Sequence, residues 1–322
     1  MRSLDRGKVE GAMHPSKVQI TEVGTRDGLQ SEKTFVPTDR KIEFIKGFAA
    51  AGLQRIEATS FVSPRAVPQL ADASEVVAAV RDIGPTIAAL VPNAKGAMRA
   101  VEAGVDEMMV FISASESHSG TNLNMTVDQA IAAVEPVAEI ARQSGIVLRA
   151  AIAVAFGCPF EGDVPTSTVS AIAARLIALG IDSLTLGDTT GMASPRHVEA
   201  VCGRLLTDHP DVRLTLHFHN TRGMGLVNVL AGLRLGIDRY ESAAAGLGGC
   251  PFAAGATGNI CTEDLVYLLS ELGIETGIDL EAMIRVAKEM ERCLGRPLPG
   301  QLMRAGPRTR LHPIESVRRA VG

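Results

Sequence analysis

The feature that most constrains the fold is a regular alternation of short apolar segments with longer segments of helical periodicity. Eight apolar segments predict β-strands, at 17–23, 54–58, 86–91, 106–112, 146–154, 183–187, 213–218 and 239–244. Each is followed by a segment that predicts a helix, at 38–51, 68–83, 94–103, 127–143, 165–179, 194–208, 223–235 and 262–272. The chain therefore reads as eight successive strand–helix units.

Glycine marks the end of several of these units. Gly52, Gly104, Gly180 and Gly236 lie between a predicted helix and the next strand, where glycine commonly ends a helix. Strict alternation favours a parallel sheet with right-handed crossovers, and eight units in about 260 residues favour a closed (β/α)8 TIM barrel. An open doubly wound sheet is the alternative, but the first strand–helix turn, GTRDGLQ, lacks the G-x-G-x-x-G fingerprint of dinucleotide binders.

The chain divides into three predicted regions. Residues 1–16 are polar and without periodicity, which predicts a flexible N-terminal extension. Residues 17–295 form the predicted TIM-barrel catalytic domain, and they include a ninth helix at 279–294 that follows the barrel. Residues 296–322, rich in proline and arginine, form a C-terminal tail.

Composition narrows the classes of function. The 32 basic and 36 acidic side chains are nearly balanced, aromatic residues make up 3% of the chain, and tryptophan is absent. These values disfavour nucleic-acid binding, and no apolar run reaches the roughly 18 residues of a membrane span. The five cysteines form no C-x-x-C pair, which favours reduced thiols. We expect a cytoplasmic protein, or one in the interior of an organelle, that binds neither nucleic acid nor membrane.

Polar side chains collect where the predicted strands end, which is where TIM barrels carry their chemistry. They are Glu22, Arg26, Asp27 and Gln30 after the first strand, Glu57 in the second, Asp188 after the sixth, His217 and His219 in the seventh, and Cys250 and Asn259 after the eighth. His217 and His219 are two residues apart on a strand, so their side chains are expected on the same side. Two imidazoles and a carboxylate from another strand suit Mg²⁺ or Mn²⁺, and also Zn²⁺, Co²⁺ or Fe²⁺.

Simpler explanations exist for some of these residues. Glu57 and Asp188 could be buried acids paired with Arg26 or another base. Cys158 also follows a predicted strand, but a small apolar filler is the favoured interpretation. Residues 246–259, GLGGCPFAAGATGN, hold five glycines and therefore predict a mobile loop with a thiol, Cys250, at its tip.

Several motifs resemble the 3-hydroxy-3-methylglutaryl-CoA lyase family of metal-dependent barrel enzymes. They are EVGTRDGLQSE at 22–32, ATSFVSP at 58–64, FGCPFEG at 156–162, TLGDTTG at 185–191, HFHNT at 217–221 and the glycine-rich loop followed by TEDLVYLL. The resemblance implies cleavage of a 3-hydroxy-3-methylglutaryl thioester to acetyl-CoA and acetoacetate.

The resemblance also assigns residue roles. Asp27, His217, His219 and Asn259 correspond to the ligands of a divalent metal, with Mg²⁺ or Mn²⁺ expected. Arg26, Glu57, Asp188 and His217 correspond to catalytic and substrate-contacting residues, and Cys250 to the catalytic cysteine. The expected partners are a small acyl-CoA substrate and further copies of the chain, in a homodimer or a higher homo-oligomer.

Three departures from the family pattern concern substrate identity. Thr25 replaces a proline, Ala66 replaces a tryptophan, and the stretch 115–124 lacks an expected lysine. Because a missing indole could widen the acyl pocket, one alternative is the same reaction on a thioester with a different substituent at C3. A Claisen-condensing enzyme that forms a carbon–carbon bond with acetyl-CoA is the other alternative.

Overall fold

The chain folds into a closed barrel of eight parallel strands, as the strand–helix alternation predicts. The computed structural model describes residues 14–181, 183–249 and 258–311. Each strand pairs in parallel with its neighbours in chain order, and β1 pairs with β8 to close the ring. The strands are β1 Gln19–Glu22, β2 Arg55–Ser60, β3 Thr86–Leu90, β4 Glu107–Ser113, β5 Val147–Ala153, β6 Ser183–Asp188, β7 Arg213–Phe218 and β8 Arg239–Ser242. The TIM barrel is confirmed.

Helices surround the barrel. They are α1 Thr38–Ala50, α2 Ala73–Val80, α3 Ala94–Ala103, α4 Glu116–Leu123, α5 Val127–Ala132, α6 Glu135–Ser144, α7 Thr166–Ala178, α8 Pro195–Asp208, α9 Gly225–Arg234, α10 Thr262–Glu271, α11 Leu280–Leu294 and α12 Leu302–Ala305. The expected extra helix after the barrel is α11. No helix of the described ranges is long and apolar enough to cross a membrane.

Within the barrel, the helices differ from the sequence-based expectation at three places. The predicted helix 127–143 is two helices, because Pro136 has no N–H to donate to the carbonyl of Ala132, where α5 ends. The predicted helix 68–83 is a single 3₁₀ turn followed by α2. The polar helix α4 was not predicted; the side chain of Ser115 caps its N-terminus by accepting the N–H of His118.

Close packing of α9 against the barrel depends on a glycine. A Cβ at Gly232 would lie 2.6 Å from Cδ1 of Leu216 and 2.7 Å from the hydroxyl of Tyr240. That hydroxyl is fixed, since its one proton is shared between the carbonyls of Val229 and Ile237, at 3.2 and 3.1 Å. A Cβ at Gly203, in the middle of α8, would meet no atom within 4 Å.

These two helical glycines are expected to respond in opposite ways to alanine. Gly203→Ala should raise the free energy of unfolding by about 0.5–1 kcal/mol, because alanine favours the helix and fits the open space. Gly232→Ala should lower it by about 1–2 kcal/mol, because overpacking outweighs the same gain. Urea unfolding of both variants and the parent measures the two changes. A Gly232→Ala variant as stable as Gly203→Ala would contradict the packing of α9.

Candidate active site

A short helical turn directly after β1 brings Arg26 and Asp27 to the mouth of the barrel. The turn covers Gly24–Gly28. Arg26 donates from Nε and Nη2 to the two carboxylate oxygens of Glu57 on β2, at 2.8 and 3.1 Å, and from Nη1 to Oδ1 of Asp27 at 2.8 Å. One guanidinium therefore links two carboxylates from adjacent strands. The pairing of Glu57 with Arg26 is observed, and a catalytic role of Glu57 stays a prediction.

The surroundings of Asp27 keep its carboxylate ionised. Burial alone would raise its pKa, but the positive charge of Arg26, the two nearby imidazoles and a hydrogen bond from Asn259 lower the pKa to about 2. Asp27 is therefore a carboxylate throughout the physiological pH range.

The imidazoles of His217 and His219 lie beside Asp27 at the end of β7. Their Nε2 atoms are 3.2 Å apart, and Oδ2 of Asp27 is 3.9 Å from Nε2 of His217 and 3.8 Å from Nε2 of His219. The three ligand atoms lie within 4.8 Å of one another, so the group could hold a metal ion. The expectation that both histidines point to the same side is confirmed.

Asn259 completes this group from the far end of the glycine-rich loop. Its backbone pairs with His219 in an isolated β-bridge, and its side-chain Nδ2 donates to Oδ2 of Asp27 at 2.7 Å and to the carbonyl of Leu247 at 2.9 Å. Its Oδ1 is buried and has no hydrogen-bond partner among the described residues.

The donor set fits a divalent cation. A carboxylate, two imidazoles and a buried amide oxygen that lacks a partner are mixed oxygen and nitrogen ligands of the kind that Mg²⁺, Mn²⁺ and Zn²⁺ accept. Gly248 leaves room beside the group, since a Cβ there would lie 2.5 Å from Nδ2 of Asn259 and 3.0 Å from Oδ2 of Asp27.

Asp188 lies at the end of β6 and forms no ion pair with a base among the described residues. Its Oδ1 accepts the N–H groups of Met192 and Ala193 at 2.7 and 2.9 Å, while its buried Oδ2 has no hydrogen-bond partner among the described residues. Burial raises the pKa of Asp188 to about 6, against the lowering effect of the two N–H groups. A carboxyl group with one available oxygen and a pKa close to neutrality can take up a proton at physiological pH.

Sequence reasoning missed Glu241, which lies on β8 beside His217. Its Oε2 accepts a hydrogen bond from Nδ1 of His217 at 2.9 Å, and the two residues are partners in the β7–β8 register. The available signal was an acid within the predicted strand 239–244. The pairing itself requires the barrel register, which the strand sequence does not contain.

Two buried acids hold the base of the glycine-rich loop. Glu22 accepts the N–H groups of Gly24 and Ala244 at 2.8 and 2.9 Å and the hydroxyl proton of Thr262 at 2.6 Å. Glu263 accepts the N–H of Ala245 at 3.0 Å. Burial raises the pKa of Glu22 to about 7 and that of Glu263 to about 8. Both groups serve as acceptors for the backbone where β8 leads into the loop.

The other candidates are Cys250, Gln30 and Cys158. Cys250 lies outside the described residues. Gln30 is exposed. Cys158 is fully buried, and its Sγ is 3.0 Å from the hydroxyl oxygen of Ser115, in keeping with its interpretation as a filler.

Over most of its length the chain matches a known protein family and named proteins. A family model described as HMGL-like matches residues 17–290. The chain is 43% identical over 289 residues to a hydroxymethylglutaryl-CoA lyase of Bacillus subtilis, covering 89% of this chain and 97% of that protein. It is 44% identical over 287 residues to a 3-hydroxy-3-isohexenylglutaryl-CoA/hydroxymethylglutaryl-CoA lyase of Pseudomonas aeruginosa, covering 88% and 94% of the two chains.

A solved structure agrees with these matches. An HMG-CoA lyase from Acinetobacter baumannii, in complex with coenzyme A and 3-methylmalate, superposes with a TM-score of 0.89 at 46% identity. The superposition covers 93% of this chain and 98% of that chain.

Glu263 is expected to make stability depend on pH. Its folded-state pKa of about 8 is above its ordinary value of 4.5, so its contribution to stability is complete below pH 4.5 and is lost as the pH rises to about 8. Glu263→Gln, which stays neutral, should match the parent at pH 4.5 and exceed its free energy of unfolding at pH 8.5 by on the order of 2–4 kcal/mol.

Urea unfolding at the two pH values measures this difference. Glu102→Gln, which removes an exposed carboxylate from α3, is the control and should follow the parent at both. If Glu263→Gln lost stability between pH 4.5 and pH 8.5 as steeply as the parent, Glu263 would not be a protonated acid in the folded chain.

Proposed function

The chain belongs to the HMGL-like family, and we propose that its reaction is the cleavage of 3-hydroxy-3-methylglutaryl-CoA to acetyl-CoA and acetoacetate. The observation that carries this function is the convergence of Arg26, Asp27, His217, His219 and Asn259 at the mouth of the barrel, in a chain more than 40% identical to lyases of this name. It is a carbon–carbon lyase.

The reaction is a retro-Claisen cleavage. The C3 hydroxyl loses its proton, the C2–C3 bond breaks, and its electron pair moves to C2 and the thioester carbonyl as an enolate. Protonation of C2 then gives acetyl-CoA, while C3 becomes the ketone carbon of acetoacetate. The protein has to remove one proton, stabilise one negative oxygen and return one proton.

We assign Asp27, His217, His219 and Asn259 as ligands of a divalent metal, with Mg²⁺ or Mn²⁺ favoured by the carboxylate and amide oxygens. When bound, such a cation supplies Lewis-acid polarisation of the substrate's oxygen atoms. Arg26 acts as the stabiliser of the enolate oxygen, because a guanidinium is always charged and three of its five N–H groups are already fixed by Glu57 and Asp27. Glu57 acts by orienting it.

The proton of the C3 hydroxyl has two candidate acceptors. Asp188 has an available buried oxygen and a pKa of about 6. His217 has its Nδ1 held by Glu241, which together with Asp27 raises the imidazole pKa although burial lowers it. The two roles of His217 exclude each other, because its Nδ1 donates to Glu241 and a cation on Nε2 would leave no ring nitrogen for the proton; with a metal bound, Asp188 is the acceptor.

Cys250 is proposed as the donor that protonates the acetyl carbon. The support is the family motif GLGGCPFAAGATGN and the position of Gly248, two residues earlier, against Asp27 and Asn259. A loop that closes over the substrate would also exclude water from the enolate.

The second candidate substrate is a thioester with a different substituent at C3. It is favoured by the Pseudomonas aeruginosa relative, whose name includes a longer isohexenyl substrate, and by the exposed Ala66 where a tryptophan is expected.

We also propose a cytoplasmic location, as in the name of a 40% identical rat relative. We further propose that the chain assembles as a homodimer or a higher homo-oligomer.

Product analysis tests the reaction. Purified protein with Mg²⁺ or Mn²⁺ and the methylglutaryl thioester is expected to yield acetyl-CoA and acetoacetate in equal amounts. A series of 3-hydroxy acyl-CoA thioesters distinguishes the substrates, since a higher kcat/KM for a longer C3 substituent would favour the second candidate. Consumption of acetyl-CoA with a 2-oxo acid, without thioester cleavage, would indicate a condensing enzyme instead.

Cys250→Ala should lower kcat by about 10²–10⁴-fold, the range typical of a lost general acid, while Mn²⁺ binding stays within twofold of the parent. Cys293→Ala, which removes a thiol from α11, is the matched control and should retain activity. Stopped-assay kinetics and Mn²⁺ titration measure both effects. Full activity of Cys250→Ala would remove the thiol from the mechanism.

A further inference from the structure

We propose that Glu241 is a positioning residue that fixes the ring orientation and tautomer of His217, and that Arg149 and Thr185 hold Glu241 in place for this purpose. The inference rests on the proposed metal dependence of the lyase. It adds to that function a carboxylate that acts through His217.

The barrel register places Glu241 beside His217. The two residues are aligned partners on β7 and β8, so their side chains leave the sheet on the same face. Oε2 of Glu241 is 2.9 Å from Nδ1 of His217, and both side chains are buried, at 2% and 7% exposure.

A carboxylate at this place decides which ring nitrogen carries the proton. An ionised carboxylate only accepts hydrogen bonds, so Nδ1 of His217 must donate. In the neutral imidazole, Nε2 then keeps its lone pair and directs it toward Asp27 and His219. Without Glu241, the proton could move to Nε2 and occupy the position that a metal ligand needs.

A second layer of contacts holds the carboxylate. Thr185 on β6 donates to Oε1 of Glu241 at 3.0 Å, and Nη2 of Arg149 on β5 lies 3.7 Å from the same oxygen. Arg149 is anchored in turn, because Nη2 donates to the hydroxyl of Thr215 on β7 at 2.8 Å. Since β5 and β7 are not neighbours, these contacts cross the interior of the barrel.

The two carboxylate oxygens of Glu241 contact different groups. Oε2 faces the imidazole, while Oε1 faces the hydroxyl and the guanidinium. The guanidinium of Arg149, 3.7 Å from Oε1, favours the ionised form of the carboxylate. Rotation of the carboxylate away from His217 would break the contact with Thr185.

The experiment measures Mn²⁺ dissociation constants of the full chain by electron paramagnetic resonance titration, with urea unfolding beside it. Glu241→Leu, which removes the acceptor, should bind Mn²⁺ about 10–100-fold more weakly than the parent. Glu241→Gln keeps an acceptor oxygen but loses the charge, so it should bind about three- to tenfold more weakly.

Glu107→Gln is the matched control. Glu107 is a buried carboxylate on β4 that pairs with Arg55, so the control removes one buried charge at another position in the barrel. It should lose stability and keep the parent's Mn²⁺ affinity within twofold. A merely structural role for Glu241 would give the same result for all three variants.

The outcomes separate the two proposals. If the folded Glu241→Leu variant, or Glu241→Gln where the leucine variant does not fold, binds Mn²⁺ within twofold of a parent that binds it, the role of Glu241 is overturned and the lyase function stands. A parent that binds no Mn²⁺ overturns both the metal site and the role of Glu241. Thioester cleavage by the parent tests the reaction independently of either result.

Discussion

The rest of the site depends on the ion pairs that the guanidinium of Arg26 forms with two carboxylates. The guanidinium forms ion pairs with both Glu57 and Asp27, and both carboxylates are largely shielded from water. Two buried carboxylates within reach of each other would otherwise raise each other's pKa until one became protonated. Because Arg26 prevents this for Asp27, the chain can present an ionised carboxylate beside two imidazoles.

Further charged side chains surround the two histidines. Glu241 adds a third carboxylate and Arg149 a second guanidinium, so the described group carries three negative and two positive side chains around His217 and His219. The excess negative charge raises the pKa of His217, although burial lowers it. The same field that attracts a proton to this imidazole favours a cation at its Nε2. Polar residues inside the barrel, where apolar layers are usual, thus serve the site more than the stability of the fold.

The sequence pattern predicts much of the fold. The polar residues at the predicted strand ends include much of the site. All eight strands were predicted to within a few residues, because buried parallel strands are short apolar runs and the helices between them end at glycine. Helix α4 was missed because its stretch SESHSGTNLN has few apolar residues and depends on the cap of Ser115 and on Glu161, which accepts the N–H of Ser117. Glu241 was missed because strand periodicity does not say which face of a closed barrel points to the axis. Its partner, His217, becomes known only when β7 and β8 are in register.

The glycine-rich loop is joined at its base to the metal group. The chain leaves β8 through backbone groups held by Glu22 and Glu263, and it returns through Gly258 and Asn259. The N–H of Asn259 donates to the carbonyl of Leu247 at 3.0 Å, so the described ends of the loop are joined at its base. Asn259 also contacts Asp27, which means that the residue closing the loop is one of the residues lining the metal group. The side chain of Asn259 therefore links Asp27 directly to the base of the loop.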